Sequence, residues 1–309
     1  MPCSMCRVIW ATWEGMAARS AEKLVRPIYR PPAARTDSGP DNADPPAMRS
    51  PDPACPSPSR DVYVFATCVV DLFMPDAGLD AIAVLERLGC RVHFPEAQTC
   101  CGQPAYTSGF PEEARRVAAA QLDLFPEPWP IVVPSGSCAG MMRHHWPRLF
   151  EHDIARLERA RAIATRVVEF TDFLAATDLP LPVATTGVPV SVCLHTSCSA
   201  RRETGALASG RRLLEALPGV DLKIQAYESE CCGFGGTFAV KQPDISAAMA
   251  GDKADALTDS GCDAFVSGDC GCLLNLNGTL ARREGALQGR HIASFLRERW
   301  GLPAPEGSA

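Results

Sequence analysis

"TCCGQP" at residues 99–104 and "ECCGFGG" at residues 230–236 each set two thiols side by side and follow them with glycine. Adjacent cysteines rarely bridge each other, because their Cα atoms lie about 3.8 Å apart where a relaxed disulfide wants about 5.5–6 Å. The other cysteines show what the pairs serve. Cys68 precedes Cys100-Cys101-Gly102 by 31 residues, and Cys138 follows after 35 more. Cys198 precedes Cys231-Cys232-Gly233 by 32 residues, and Cys272 follows after 38 more. Four thiols at three places in the chain, twice in register, is an internal repeat.

The segments around each set fix the fold class. "DVYVFATC" (61–68), "CRVHFPE" (90–96) and "PIVVPSG" (130–136) read as buried strands, separated by helical patterns over 77–89 and 111–125. Helical segments over 151–166 and 167–176 are expected to bridge two units. The series then restarts, with strands at 188–198, 220–228 and 262–269, helices ending at 219 and spanning 243–261, and a closing segment at 291–301. Alternating strands and helices imply an α/β protein: two tandem Rossmann-like units with parallel sheets, related by an approximate twofold. The expected domains are 60–180, including the bridging helices, and 181–303.

Every cysteine set lies just past a predicted strand. In an open parallel sheet, ligands gather at the carboxyl ends of the strands, so three loops can converge on one point. Cys138 and Cys272 also open helices, where backbone N–H groups favour thiolate over thiol. The paired cysteines supply two ligands from one turn, and the glycine lets the backbone approach sulfur. Four thiolates suit an iron–sulfur cluster or a structural zinc ion. The spacing is neither the short run of ferredoxins nor two zinc knuckles.

Composition agrees. The chain has 309 residues, 15 of them cysteine, and a formal net charge of −6. That charge argues against a nucleic-acid partner, which would need a basic face. No apolar run reaches the roughly 18 residues that span a bilayer, and nothing reads as a signal peptide. Clustered cysteines without a secretion signal mean metal or redox work more often than disulfides. In residues 31–58, nine of 28 are proline. The leader 1–59 is therefore expected to be disordered, with Met48 a candidate start, as is the tail 304–309. Cys3 and Cys6 form an isolated C-x-x-C within that leader.

With these residues in place, the chain resembles the cysteine-rich CCG-domain family. Its pattern is a cysteine, a CCG about thirty residues on, and a final C-x2-C. The segments that carry the resemblance are "FATC", "LERLGCRVHFPEAQTCCGQPAYTSG", "PSGSCAGMMR", "HTSCSARRETG", "ECCGFGGTFAVKQPDISAAM" and "GDCGCLLNLNG", covering about residues 60–300. They are similar to the family's lactate-utilisation branch. The resemblance implies an iron–sulfur electron-transfer subunit of an L-lactate oxidation complex that converts lactate to pyruvate. It implies one or two clusters of the [4Fe–4S] type, a ferredoxin-type iron–sulfur partner and a small third subunit. The implied location is cytoplasmic, reaching the inner membrane through partners alone. Related systems are glycolate oxidase and heterodisulfide reductase, where each CCG motif holds a non-cubane [4Fe–4S] cluster with five cysteines. Here Ser135 and Asp269 stand where the first cysteine of the final C-x2-C belongs, leaving four per half, and either could supply an oxygen ligand.

The expected ligands are thus Cys68, Cys100, Cys101 and Cys138 in one half, and Cys198, Cys231, Cys232 and Cys272 in the other. Cys272 is preferred to Cys270. Cys90, Cys193 and Cys262 read as core residues of strands, and His144 and His145 as a solvated helix face. His195 is either a donor to cluster sulfur or a cap for the following helix. "GFGGT" (233–237) lacks the spacing of a nucleotide loop. Two rivals remain: a cysteine hydrolase using Cys138 in "GSCAG" (136–140), which resembles a nucleophile elbow, and a zinc-stapled scaffold.

Overall fold

Two four-stranded sheets, each wholly parallel, organise the chain. The computed structural model describes residues 60–177, 188–283 and 287–304. The leader with Cys3, Cys6 and Met48, the boundary expected at 180/181, and the tail beyond 304 lie outside the described residues. The first sheet contains β1 (Arg60–Val64), β2 (Cys90–His93), β3 (Ile131–Val133) and β4 (Val167–Glu169), in the order β2-β1-β3-β4. The second contains β5 (Val190–His195), β6 (Val220–Lys223), β7 (Ala264–Ser267) and β8 (Gln288–His291), in the order β6-β5-β7-β8. The two orders are the same, so the repeat read in the cysteines is a repeat of topology. The chain leaves β1 toward β2 on one side and reaches β3 on the other, which makes the β1/β3 crevice the point where a ligand site is expected. The same holds at β5/β7.

Each strand alternates between two cores, as the period of two requires. Val62, Val64, Val132, Val192, Leu194 and Val266 join one core that runs through both halves. Tyr63, Phe65, Ile131 and Val133 face a second core, which also contains Cys101, Cys138 and Trp146. Cys193 and Phe265 face a third, with Cys232 and Cys272. The cysteine sets therefore lie on the sheet faces turned away from the shared core.

The shared core explains why the halves associate. The helix after β4, α8 (Phe170–Ala176), packs on α10 (Ala206–Glu215) of the second half. The helix after β8, α14 (Ile292–Arg299), packs on α2 (Pro75–Arg87) of the first. Each half sends its last helix onto the other. Phe170 and Leu174 from one side, and Ile292, Phe295 and Leu296 from the other, are buried there, each contributing on the order of 2 kcal/mol.

The segment 167–176, expected to be helical throughout, begins as β4 and becomes helix only at Phe170. Glu169 ends the strand, and its carboxylate accepts from Thr171 N at 2.7 Å and Asp172 N at 3.1 Å, capping the helix. The closing segment opens on His291, the last residue of β8, which caps α14 by accepting from Ala293 N at 3.2 Å.

Candidate metal centres

Cys68 opens α1 (Cys68–Phe73) immediately after β1, Cys100 and Cys101 lie in the loop after β2, and Cys138 sits in α5 (Gly136–Gly140) after β3. Their sulfurs form a chain. Cys68 Sγ lies 3.5 Å from Cys100 Sγ, and Cys101 Sγ lies 3.3 Å from Cys138 Sγ. Cys100 and Cys101 also touch each other. In the second half, Cys198 opens α9 (Cys198–Glu203) after β5, Cys231 and Cys232 follow β6, and Cys272 sits in α13 (Cys270–Leu280) after β7. Cys198 Sγ lies 3.9 Å from Cys231 Sγ, Cys231 touches Cys232, and Cys232 touches Cys272. All eight are free thiols.

The vicinal pairs are turned by their glycines. Gly102 has φ 85° and Gly233 φ 80°, a region that side chains with a Cβ enter at a cost of about 1–2 kcal/mol. The backbone N–H of Gly102 reaches Cys100 Sγ at 3.4 Å, and that of Gly233 reaches Cys231 Sγ at 3.4 Å. A Cβ on Gly233 would lie 2.5 Å from Ser246 O, and one on Gly102 3.1 Å from Ala114 O. The second residue of each pair is anchored through its carbonyl. Trp146 Nε1, just past a π-helical turn at Met141–His145, donates to Cys101 O at 2.8 Å, and Asn275 Nδ2 donates to Cys232 O at 2.8 Å.

Electrostatics shows what such a set requires. Two thiolates about 4 Å apart repel by about 4 kcal/mol at an effective dielectric of about 20. The bond to Cys100 and burial push the Cys68 thiol well up, and contacts with Cys100 and Cys138 together with burial do the same to Cys101. Cys100, accepting from Cys101 and Cys68, is held well below the usual thiol range. The contact with Cys231 and burial push Cys198 up. The raised thiols hold their protons more tightly, and a metal that binds them releases those protons. Tetrahedral thiolate ligation at about 2.3 Å per bond sets sulfurs about 3.8 Å apart. The sulfur contacts here, 3.3–3.9 Å, are of that order and draw each set close enough to converge on one metal centre.

His195 belongs to the second site. It ends β5, is fully buried, and neither ring nitrogen has a hydrogen-bond partner among the described residues. Its nitrogen and the sulfurs of Cys232 and Cys272 all lie within 4.8 Å of one another. The helix-cap alternative fails, because Ser197 Oγ caps α9 by accepting from Ala200 N at 3.1 Å. Burial holds the imidazole down to about 3, helped by the nearby Lys253 and Arg201 cations.

Ser135 and Asp269, weighed as oxygen ligands of separate sites, instead meet each other. Ser135 Oγ donates to Asp269 Oδ1 at 2.9 Å, and Ser137 N donates to the same oxygen at 3.0 Å. The two stand at equivalent places in the repeats, and their contact lies where the halves join. Glu169, within their field, is pushed up to about 8, chiefly by burial. Cys270 packs against Val70 and Ala77, and Gly136, its counterpart, packs against Ala200. Cys272 therefore faces its own site, while Cys270 faces the junction.

Three other readings change. His145 is half-buried rather than solvated: its Nε2 pairs with Glu203 at 2.9 Å and its Nδ1 faces Tyr106 Oη at 3.2 Å. Cys262 lies in the turn before β7, half-buried and in contact with Cys193, whereas Cys90 and Cys193 are buried strand residues as expected. Among the described residues the elbow reading of Cys138 finds no base. His144 and His145 turn to Glu203, and His291 turns to Pro134 O and Gly268 O. Nor is Cys138 strained, since among the described residues only Thr67 and Tyr227 combine a side chain with positive φ.

The family model for the cysteine-rich CCG domain matches twice, at residues 62–143 and 192–277. Lactate utilization protein A of Macrococcus caseolyticus is 39% identical over 237 residues, which is 76% of this chain and 95% of that protein. The chain belongs to this CCG-domain family. Lactate utilization protein A of Bacillus cereus strain G9842 is 40% identical over 240 residues, covering 77% of the chain and 99% of that protein. A crystal structure of a hypothetical protein from Helicobacter pylori shares the fold, with a TM-score of 0.57 at 10% identity, over 81% of this chain and 51% of the other. No helix among the described residues is long and apolar enough to cross a membrane.

Proposed function

We propose that this CCG-family chain is the iron–sulfur electron-transfer component of an L-lactate oxidation system, with Cys68, Cys100, Cys101 and Cys138 holding one centre and Cys198, Cys231, Cys232 and Cys272 the other. The observation that carries the reading is the pair of four-sulfur chains, each at the strand-order switch of its own sheet. An iron–sulfur cluster supplies one-electron transfer, which side chains alone lack. The chain's own part is to gather and orient the thiolates, to fix each vicinal pair through Trp146 and Asn275, and to keep water from the inner sulfurs by burying Cys101, Cys138, Cys232 and Cys272.

The relatives' name, Lactate utilization protein A, supports placing the electron source in lactate oxidation. No flavin or nicotinamide fingerprint accompanies the cysteines, so lactate's hydride acceptor is assigned to a partner. A ferredoxin-type subunit and a small third subunit complete the proposed system. The test replaces Cys101 or Cys232 with serine. Each variant is expected to lose iron and to abolish lactate-dependent electron flow in the reconstituted system. Full iron and full activity in both would refute the assignment, and zinc in place of iron would turn the sites into scaffolding.

A further inference from the structure

We propose that His195 supplies a nitrogen donor to the metal centre of the second half, giving that centre a ligand the first one lacks. This rests on the reading that the cysteine sets hold iron.

The case begins with an unmet group. An imidazole has two polar nitrogens, and burying either without a partner is costly. His195 is 0% exposed and both nitrogens are unpartnered. Sequence folds it there deliberately: it is the last residue of β5, and strand alternation turns it to the face that carries Cys193, away from Leu194 and the shared core. The atoms it meets are the sulfurs of Cys232 and Cys272, within 4.8 Å.

The first half supplies the control. Aligning Cys68 with Cys198 puts Phe65 at the position of His195, and Phe65 is equally buried, in an apolar core. The fold thus needs only a flat ring there. A polar ring with both nitrogens unmet is explained by a ligand and not by packing.

The experiment uses the full chain purified without oxygen, with isotopically labelled histidine, reduced by dithionite and read by pulsed paramagnetic resonance. The expected result is a nitrogen coupling of the size of a directly bound imidazole, lost in His195→Phe. His195→Cys, which offers a thiolate instead, should keep its iron while losing that coupling. Mössbauer spectra of the same samples do not depend on an odd electron count. They should show one iron environment that disappears in His195→Phe. Full iron with no nitrogen coupling, a weak coupling typical of a hydrogen bond to sulfur, or iron environments unchanged in His195→Phe would overturn the proposal. A wild-type chain without iron would instead sink the reading beneath it.

Discussion

The first half places Phe65 just after its leading strand, where the second closes its own on His195. Near the first cysteine pair, the fully buried Gln121 holds Thr99 through its N–H at 2.9 Å and its hydroxyl at 3.0 Å. Counting ten residues from Pro111 and from Pro243, which open the corresponding helices, Gln121 matches the fully buried Lys253, whose ammonium reaches Tyr227 O at 2.8 Å and Glu228 O at 3.2 Å. Asp71, three residues after Cys68, corresponds to Arg201, three after Cys198. Duplication kept the sulfur geometry and the strand order, and changed the charge around the sulfurs. Cluster potential depends on that charge and on hydrogen bonds to sulfur. Two sites of one architecture can therefore hold electrons at different energies.

Backbone strain also differs. Thr67, just before Cys68, has φ 71° and ψ 151°, whereas its counterpart Ser197 has φ −59° and ψ 152°. A β-branched residue in that region costs on the order of 1–3 kcal/mol. The first site holds this strain next to a sulfur, and the second does not.

The largest expected effect comes from removing one sulfur per half. Cys138→Ala should abolish iron binding in the first half and leave the second loaded, and Cys272→Ala the reverse, each measured as roughly half the iron per chain, given that ligands are needed as a set. Loss of all iron from either variant would mean one shared centre and break the comparison. Next come the glycines. Gly233→Ala combines positive φ with a Cβ 2.5 Å from a carbonyl oxygen, while Gly102→Ala meets one at 3.1 Å. By thermal unfolding, Gly102→Ala should cost about 1–2 kcal/mol and Gly233→Ala distinctly more. Equal losses would show that the turn around the second pair can relax.

A smaller effect lies at the caps of the last helices, Glu169 in one half and His291 in the other. Burial, opposed by bonds from Thr171, raises Glu169 from 4.5 to about 8. The folded state therefore keeps a proton that the unfolded chain releases. Stability from this group is full below about 4.5 and falls as pH rises toward 8. Burial lowers His291, so its contribution is present above the ordinary imidazole value and falls with acid. Glu169→Gln should flatten the alkaline limb of a melting-temperature profile and leave the acid limb. An unchanged alkaline limb would contradict the assignment. The smallest effect in free energy is electrostatic. Lys253→Gln copies the first half's residue into the second and should lower the second centre's potential while the first stays put in a redox titration. Equal shifts at both would show that the two share one field.

The sequence made the fold's repeating unit legible because apolar runs such as "VYVF" and "IVV" stand between helical patterns. It hid β4 and β8. "VVE" runs directly into a helical pattern, and "QGRH" is a polar edge strand paired only with β7. The cysteine sets were legible from their spacing. The Ser135–Asp269 contact was not, because it joins residues 134 apart through the packing of two halves. His145 was misread for the same reason, its partner Glu203 lying in the other repeat. His195 was visible as a candidate, but its spacing did not show what the structure adds: Ser197 takes the capping role, and both ring nitrogens stand without hydrogen-bond partners among the described residues.

Iron and acid-labile sulfide counted per chain, in full-length protein purified without oxygen, test the account most directly. It predicts both elements in amounts that need two centres, with one of the two lost on replacing Cys101 and the other on replacing Cys232. A chain that folds fully while binding no iron, or that holds zinc without sulfide, would contradict it.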